Sequence, residues 1–193
     1  MNFKALSIAT LLFTTVCFPA VSIAEGVVEK MVESPKHKEQ RIEGDLTFLF
    51  KEALKACALE MDKDQEMSPF AMIKKTDGTL GFFSPAENEK NKKMSVDSQI
   101  ASVRKMLMDL ASTQQIEASV QAMYVTVSND TGASNQGLVF EIEHREGVSI
   151  MRFIPVSEIL DDAGKKTGKL LFEMEKLSTG SKPQTVFAAS IVQ

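Results

Sequence analysis

The chain has 193 residues, 44% hydrophobic and 25% charged, with 22 basic against 26 acidic side chains, 2 His, 2 Cys and no Trp. This is the composition of one ordinary globular domain, and a formal charge of -4 excludes the concentrated basic face that nucleic-acid binding needs. Two histidines leave little material for a catalytic triad or an imidazole metal centre, so neither a nucleic acid nor a cofactor is expected.

The first segment reads as an address. Lys4 gives a positive start, Ala5 to Phe18 are uncharged and mostly apolar, Pro19 breaks any helix, and Ser22-Ile23-Ala24 places small residues before Glu25. That is the layout of a secretory signal peptide over residues 1–24, cut between Ala24 and Glu25. The apolar run falls short of the ~20 residues that span a bilayer. Val16 stands before Cys17 where a lipidation motif has a small residue. The expectation is an exported chain, periplasmic or extracellular, that meets the membrane only transiently during export. Cleavage would remove Cys17 and leave Cys57 alone. A mature domain of this kind has no internal disulfide and stands on its hydrophobic core.

Residues 25–40 are polar and charged and read as a spacer. From Ile42 the pattern turns helical: Ile42, Leu46, Leu49, Phe50, Ala53, Cys57 and Met61 share one face, which predicts a first helix over 41–62. Cys57 on that face is a small buried hydrophobe. Ser68-Pro69 closes the connection, and Phe70 to Phe83 reads as a hairpin around Asp77-Gly78, a pair suited to a type I′ turn. After a polar loop at 86–94, Ser95 is a candidate N-cap. The seam Val96, Ile100, Val103, Leu107, Leu110 predicts a second helix over 96–112.

The remainder is strand-like. From Ile116 to Val127 the apolar residues change parity, which indicates a strand buried on both faces or a bulge. Asn129 to Gly132 is a turn. Leu138–Arg145 and Val148–Pro155 form a second hairpin; a two-residue Glu146-Gly147 loop would pair Phe140 with Phe153, Ile142 with Met151 and Glu141 with Arg152. A strand at Lys169–Glu175 and a short edge strand near Gln184–Ala188 complete the chain. The order α-β-β-α-β-β-β-β predicts a single α+β domain over 41–193. Its architecture is two-layered, a mainly antiparallel sheet of about five to six strands with both helices on one face.

Several chemistries start and then fail. Ser102-x-x-Lys105 and Lys166-Thr167-Gly168 match two pieces of serine-lysine acyl-transfer sites, but Ser102 sits inside a helix and the middle motif, Ser128-Asn129-Asp130, has the wrong residue order. Asp62 to Ile73 opens like a calcium loop, yet has Met67 in place of the turn glycine and Ile73 in place of the closing glutamate. Glu141 with Glu143, and Glu173 with Glu175, pair carboxylates on strand faces, which reads as wetted sheet before acid–base machinery. His144 has no second histidine, cysteine or serine at a useful spacing. The methionines interleave with core positions, and Asn129-Asp130-Thr131 is a glycosylation sequon. No catalytic or metal-ligating set survives. The expectation is an exported, non-catalytic binding or interaction module whose partner is another protein. The alternatives are a small hydrolase using carboxylates or His144, and a small-molecule or metal carrier.

Overall fold

The computed structural model describes residues 33–64, 67–85, 94–128 and 134–188. The chain divides at Glu33 and Ser34, and the folded unit considered below is the one that starts at Ser34. The expected leader with its Ala24–Glu25 junction, the first part of the spacer, the loop at 86–93 and the turn at 129–132 lie outside the described residues.

The fold is α+β. Helix α1 (Pro35–Asp64) is followed by β1 (Phe70–Lys75), β2 (Leu80–Phe83), α2 (Val96–Ser112), β3 (Ile116–Ser128), β4 (Ser134–His144), β5 (Ser149–Leu160), β6 (Lys166–Phe172) and β7 (Ser178–Ser181). All the pairings are antiparallel, in the order β2-β1-β3-β4-β5-β6. β7 joins the outer side of β5 along Ile150–Phe153, beside the stretch that β6 occupies from Val156.

α1 begins earlier than its apolar period suggests. Ser34 Oγ accepts from His37 N (3.3 Å) and Ser34 O accepts from Lys38 N (3.0 Å), while Pro35 fills the first helical position, where a missing N–H costs nothing. Residues 35–40, read above as spacer, are therefore helical. Their polar side chains are no obstacle, because Lys38 pairs with Glu146 at 2.6 Å across to the β4–β5 loop.

The two helices lie on opposite faces of the sheet, which corrects the two-layer arrangement. Alternation along a strand sends successive side chains to opposite sides. Phe70, Ala118, Val120, Ala122, Phe140 and Ile142 pack with Leu46, Leu49, Phe50 and Ala53 of α1. Ala71 and Ile73 instead pack with Val103, Leu107 and Ala111 of α2. β3 is buried on both faces as a result, from Ala118 to Met123. A register shift also occurs at Lys74/Lys75, so that Ala118 and Ile116 pair but Glu117 bulges. Burial on both faces is what lies behind the later parity change, since the β3–β4 register runs unbroken from Ala118 to Ser128; the bulge at Glu117 instead turns Ile116 to the α2 face.

The β4–β5 register differs from the expected one by a single residue. Phe140 pairs with Arg152, Glu141 with Met151 and Ile142 with Ile150. The connection is a three-residue loop: His144 N donates to Val148 O (2.8 Å), Gly147 N donates to His144 O (3.1 Å), and Gly147 sits at φ 91°. A tight turn closed by a left-handed glycine is the usual three-residue hairpin. The first hairpin uses the same device, with Gly78 at φ 83° and Asp77 not at positive φ, so its turn is not type I′. The slip carries Arg152 onto the α1 face, where its guanidinium lies 4.3 Å from the ring centre of Phe50. Phe50 in turn meets Phe140 edge-on at 5.1 Å.

Candidate functional site

Glu143 and His144 are neighbours at the end of β4, each 1% exposed, and they point to opposite faces. Glu143 faces the α2 side, where the segment after β7 closes over it. Its Oε1 accepts from Lys182 Nζ (2.7 Å) and Thr185 Oγ1 (2.8 Å), and its Oε2 accepts from Val186 N (2.8 Å) and Phe187 N (3.4 Å). Thr185 N also donates, at 3.0 Å to Oε1 and 3.1 Å to Oε2. Successive N–H groups turned toward one anion form a nest, here filled by the protein's own carboxylate. Burial pushes the Glu143 carboxyl up, but Lys182 and Thr185 outweigh it and hold the group below its ordinary value. Glu141, on the same face, is shared between Lys182 (3.1 Å) and Arg104 of α2 (3.1 Å). This face is covered and cross-linked, which corrects the reading of Glu141 and Glu143 as a wetted sheet.

His144 faces α1. Its Nδ1 accepts from Glu146 N at 3.1 Å, which places the proton of the neutral ring on Nε2. That atom lies 3.5 Å from Asp45 Oδ2, beyond the usual N–H···O range of about 2.7–3.2 Å. Each oxygen of Asp45 accepts from Lys74 Nζ, at 2.8 and 2.7 Å. Burial pulls the imidazole below its usual value, and Asp45 offsets only part of that. Glu146 completes the group, held by Lys38 at 2.6 Å and Arg41 at 3.6 Å.

Beside these groups lies a cleft of about 450 Å³ between the first turns of α1 and the start of β5. Ile42, Leu46, Val148 and Ile150 form its apolar floor, Glu39 and Glu43 stand on its α1 rim beside Lys38, whose charge is taken up by Glu146, and Arg152 lines its β5 wall. The Nε of Arg152 is buried and meets no acceptor, and no described carboxylate pairs with the guanidinium. Lys74, Lys182 and Arg104 each meet a carboxylate; the half-buried Arg152 faces a ring and open space.

The remaining sequence candidates are dispersed. Glu173 follows β6 in a short turn and pairs with Lys176, so it and Glu175 do not share a strand face. Ser102 is inside α2, and Lys166 pairs with Glu158 at 2.7 Å at the start of β6. Cys57 is buried, and burial raises its thiol far above the usual range. Among the described residues no group of three or more His, Cys, Asp or Glu suits a metal ion. Sequence reasoning missed Arg152, Asp45 and Lys182. The register slip would have exposed Arg152, since an arginine on the core parity of a strand demands an account of its charge. The chain matches no family model, no curated protein and no solved structure.

Proposed function

We propose that the protein is exported after loss of residues 1–24 and acts there by binding a partner, another protein, through the cleft between α1 and β5. The observation that carries this reading is that cleft: an apolar floor with charged groups at its margin is the composition of an interaction site. The buried titratable groups support association over hydrolysis. Glu143 has its acceptor positions filled by donors of its own chain, and a general base needs a lone pair free for substrate. His144 is enclosed, with Nδ1 committed to Glu146 N.

A photo-activated cross-linker at Glu43 on the cleft rim, compared with one at Leu59 on exposed α1 surface, tests the reading in the native compartment. An adduct of one discrete mass from position 43 and none from 59 is expected; identical patterns from both positions, or no adduct at 43, would overturn it. Export has a separate check: the N-terminus of the mature protein should be Glu25, and any retained leader removes the proposed address.

A further inference from the structure

The cleft contains an uncompensated guanidinium, an apolar floor and an acidic rim, and one kind of occupant answers all three. Arg152 is half-buried with its Nε enclosed and lacking an acceptor, and so forgoes the strong charge-assisted, two-pronged hydrogen bonds that its planar fork is shaped to make with a carboxylate. Arg152 is held in place by its stacking on Phe50 at 4.3 Å, so its orientation is set before any ligand arrives. Ile42, Leu46 and Ile150 lie alongside, able to cover an apolar side chain next to that carboxylate. A simple fatty acid would use these features but would leave Glu39 and Glu43 facing its own negative charge. A polypeptide end with a basic residue upstream uses them as partners.

We propose that the α1–β5 cleft captures the C-terminus of a partner polypeptide, with Arg152 on the terminal carboxylate, Ile42, Leu46 and Ile150 around an apolar last side chain, and Glu39 and Glu43 against a Lys or Arg just upstream. The inference rests on the binding reading above and gives that binding its chemistry. The β4–β5 loop supports the geometry, because Glu146 ties it to α1 through Lys38 and Arg41 and fixes the width of the cleft mouth.

The test uses a pool of N-acetylated tetrapeptides, random at all four positions, made once as free acids and once as C-terminal amides and passed over the immobilised mature protein. Free acids should be retained about tenfold over amides, with apolar residues selected at the last position and Lys or Arg enriched upstream. Arg152→Met should erase the preference for acids, Arg152→Lys should keep part of it, and Glu43→Gln should weaken only the enrichment of Lys and Arg. Equal retention of acids and amides, retention of neither, or a preference that survives in Arg152→Met overturns the proposal. So does decanoate displacing the selected acids at equal concentration, which would make this a site for small amphiphiles. If Arg152→Met fails to unfold cooperatively, the Arg152→Lys and Glu43→Gln selections decide alone. The Glu43 cross-linker separates the two levels: a discrete adduct without any preference for acids removes the terminal-carboxylate assignment and leaves the binding reading standing.

Discussion

Adjacent on β4, Glu143 and His144 bury a titratable group in two different ways. Glu143 remains charged because Lys182 and the Thr185–Phe187 backbone supply the hydrogen bonds that water would have made. Removing Glu143 leaves Lys182 with Glu141 alone and strips the Thr185–Phe187 amides of their acceptor. Glu143→Ala should therefore cost about 3–5 kcal/mol in equilibrium denaturation, and Glu143→Gln less, since the amide oxygen still accepts from the backbone. His144 instead stays neutral. Its imidazole titrates near 6.5 when unfolded and lower when folded, because burial opposes the charge more strongly than Asp45 favours it. Below pH 6.5 the unfolded chain takes up a proton that the folded chain declines, so stability falls as pH drops, by at most about 1.4 kcal/mol per pH unit from this one group. Glu143 acts in a lower window: its stabilisation is complete above its unfolded value of 4.5 and is lost as pH falls through its lower folded value. Denaturation curves between pH 7.5 and pH 5, a range chosen as roughly spanning the unperturbed imidazole pKa, should show a slope that flattens in His144→Gln. An unchanged slope would mean that His144 takes up its proton as readily in the folded chain as in the unfolded one.

At the scale of elements, the hairpin loops decide the side-chain arithmetic. A three-residue loop puts Gly147 at φ 91°, and a Cβ built there meets nothing within 4 Å. Gly147→Ala should then cost only the left-handed backbone penalty, about 1–2 kcal/mol. Gly137 is the opposite case. It lies on β4 with Phe153 of β5 folded over it, so a Cβ would come within 2.4 Å of the ring and 2.6 Å of Ile154 O. The carbonyl is backbone and cannot swing aside, so Gly137→Ala should cost about 3 kcal/mol, and thermal melts of the two variants would order them. These loops also explain what was legible. Both helices, the two hairpins and the α+β class follow from periodicity and turn residues, which are local signals. The β4–β5 register does not, because Glu146-Gly147 suits a two-residue turn and a three-residue loop equally well. The alternatives differ only in whether Arg152 or Phe153 faces the core. The choice falls to stacking with Phe50, on a helix distant in sequence. The N-terminal turn of α1 was hidden differently, since its polar residues face water and Glu146 and carry no apolar period.

At the scale of the whole molecule, the sheet separates two apolar layers of unequal size. The α1 layer runs along the helix from Ile42 to Met61 and reaches Leu170 and Phe172 on β6, while the α2 layer is small and depends on Val186 and Phe187 from the C-terminal segment. Sequence periodicity finds the stripe on each helix but carries no information on which side of the sheet each one covers; that is settled by long-range partners such as Arg104 with Glu141, and Gln121 Nε2 with Ile100 O. The segment Gln184–Ala188, expected as an edge strand, is irregular, the strand lying earlier at Ser178–Ser181, and it closes the α2 layer with Val186 and Phe187. Phe187 is fully buried against α2, and its backbone N–H belongs to the nest around Glu143. Phe187→Ala should remove about 3–5 kcal/mol, the usual cost of emptying a buried phenylalanine site. Hydrogen exchange tells where that loss falls. If the segment is the lid of the α2 layer, the amides of α2 from Ile100 to Ala111 should exchange faster in the variant, while those of α1 from Leu46 to Cys57 keep their protection, because local opening follows local contacts. Equal loss on both helices would show instead that the two layers unfold as one unit through the shared strand β3, and that the C-terminal segment stabilises the whole domain and is not a lid on one side of it.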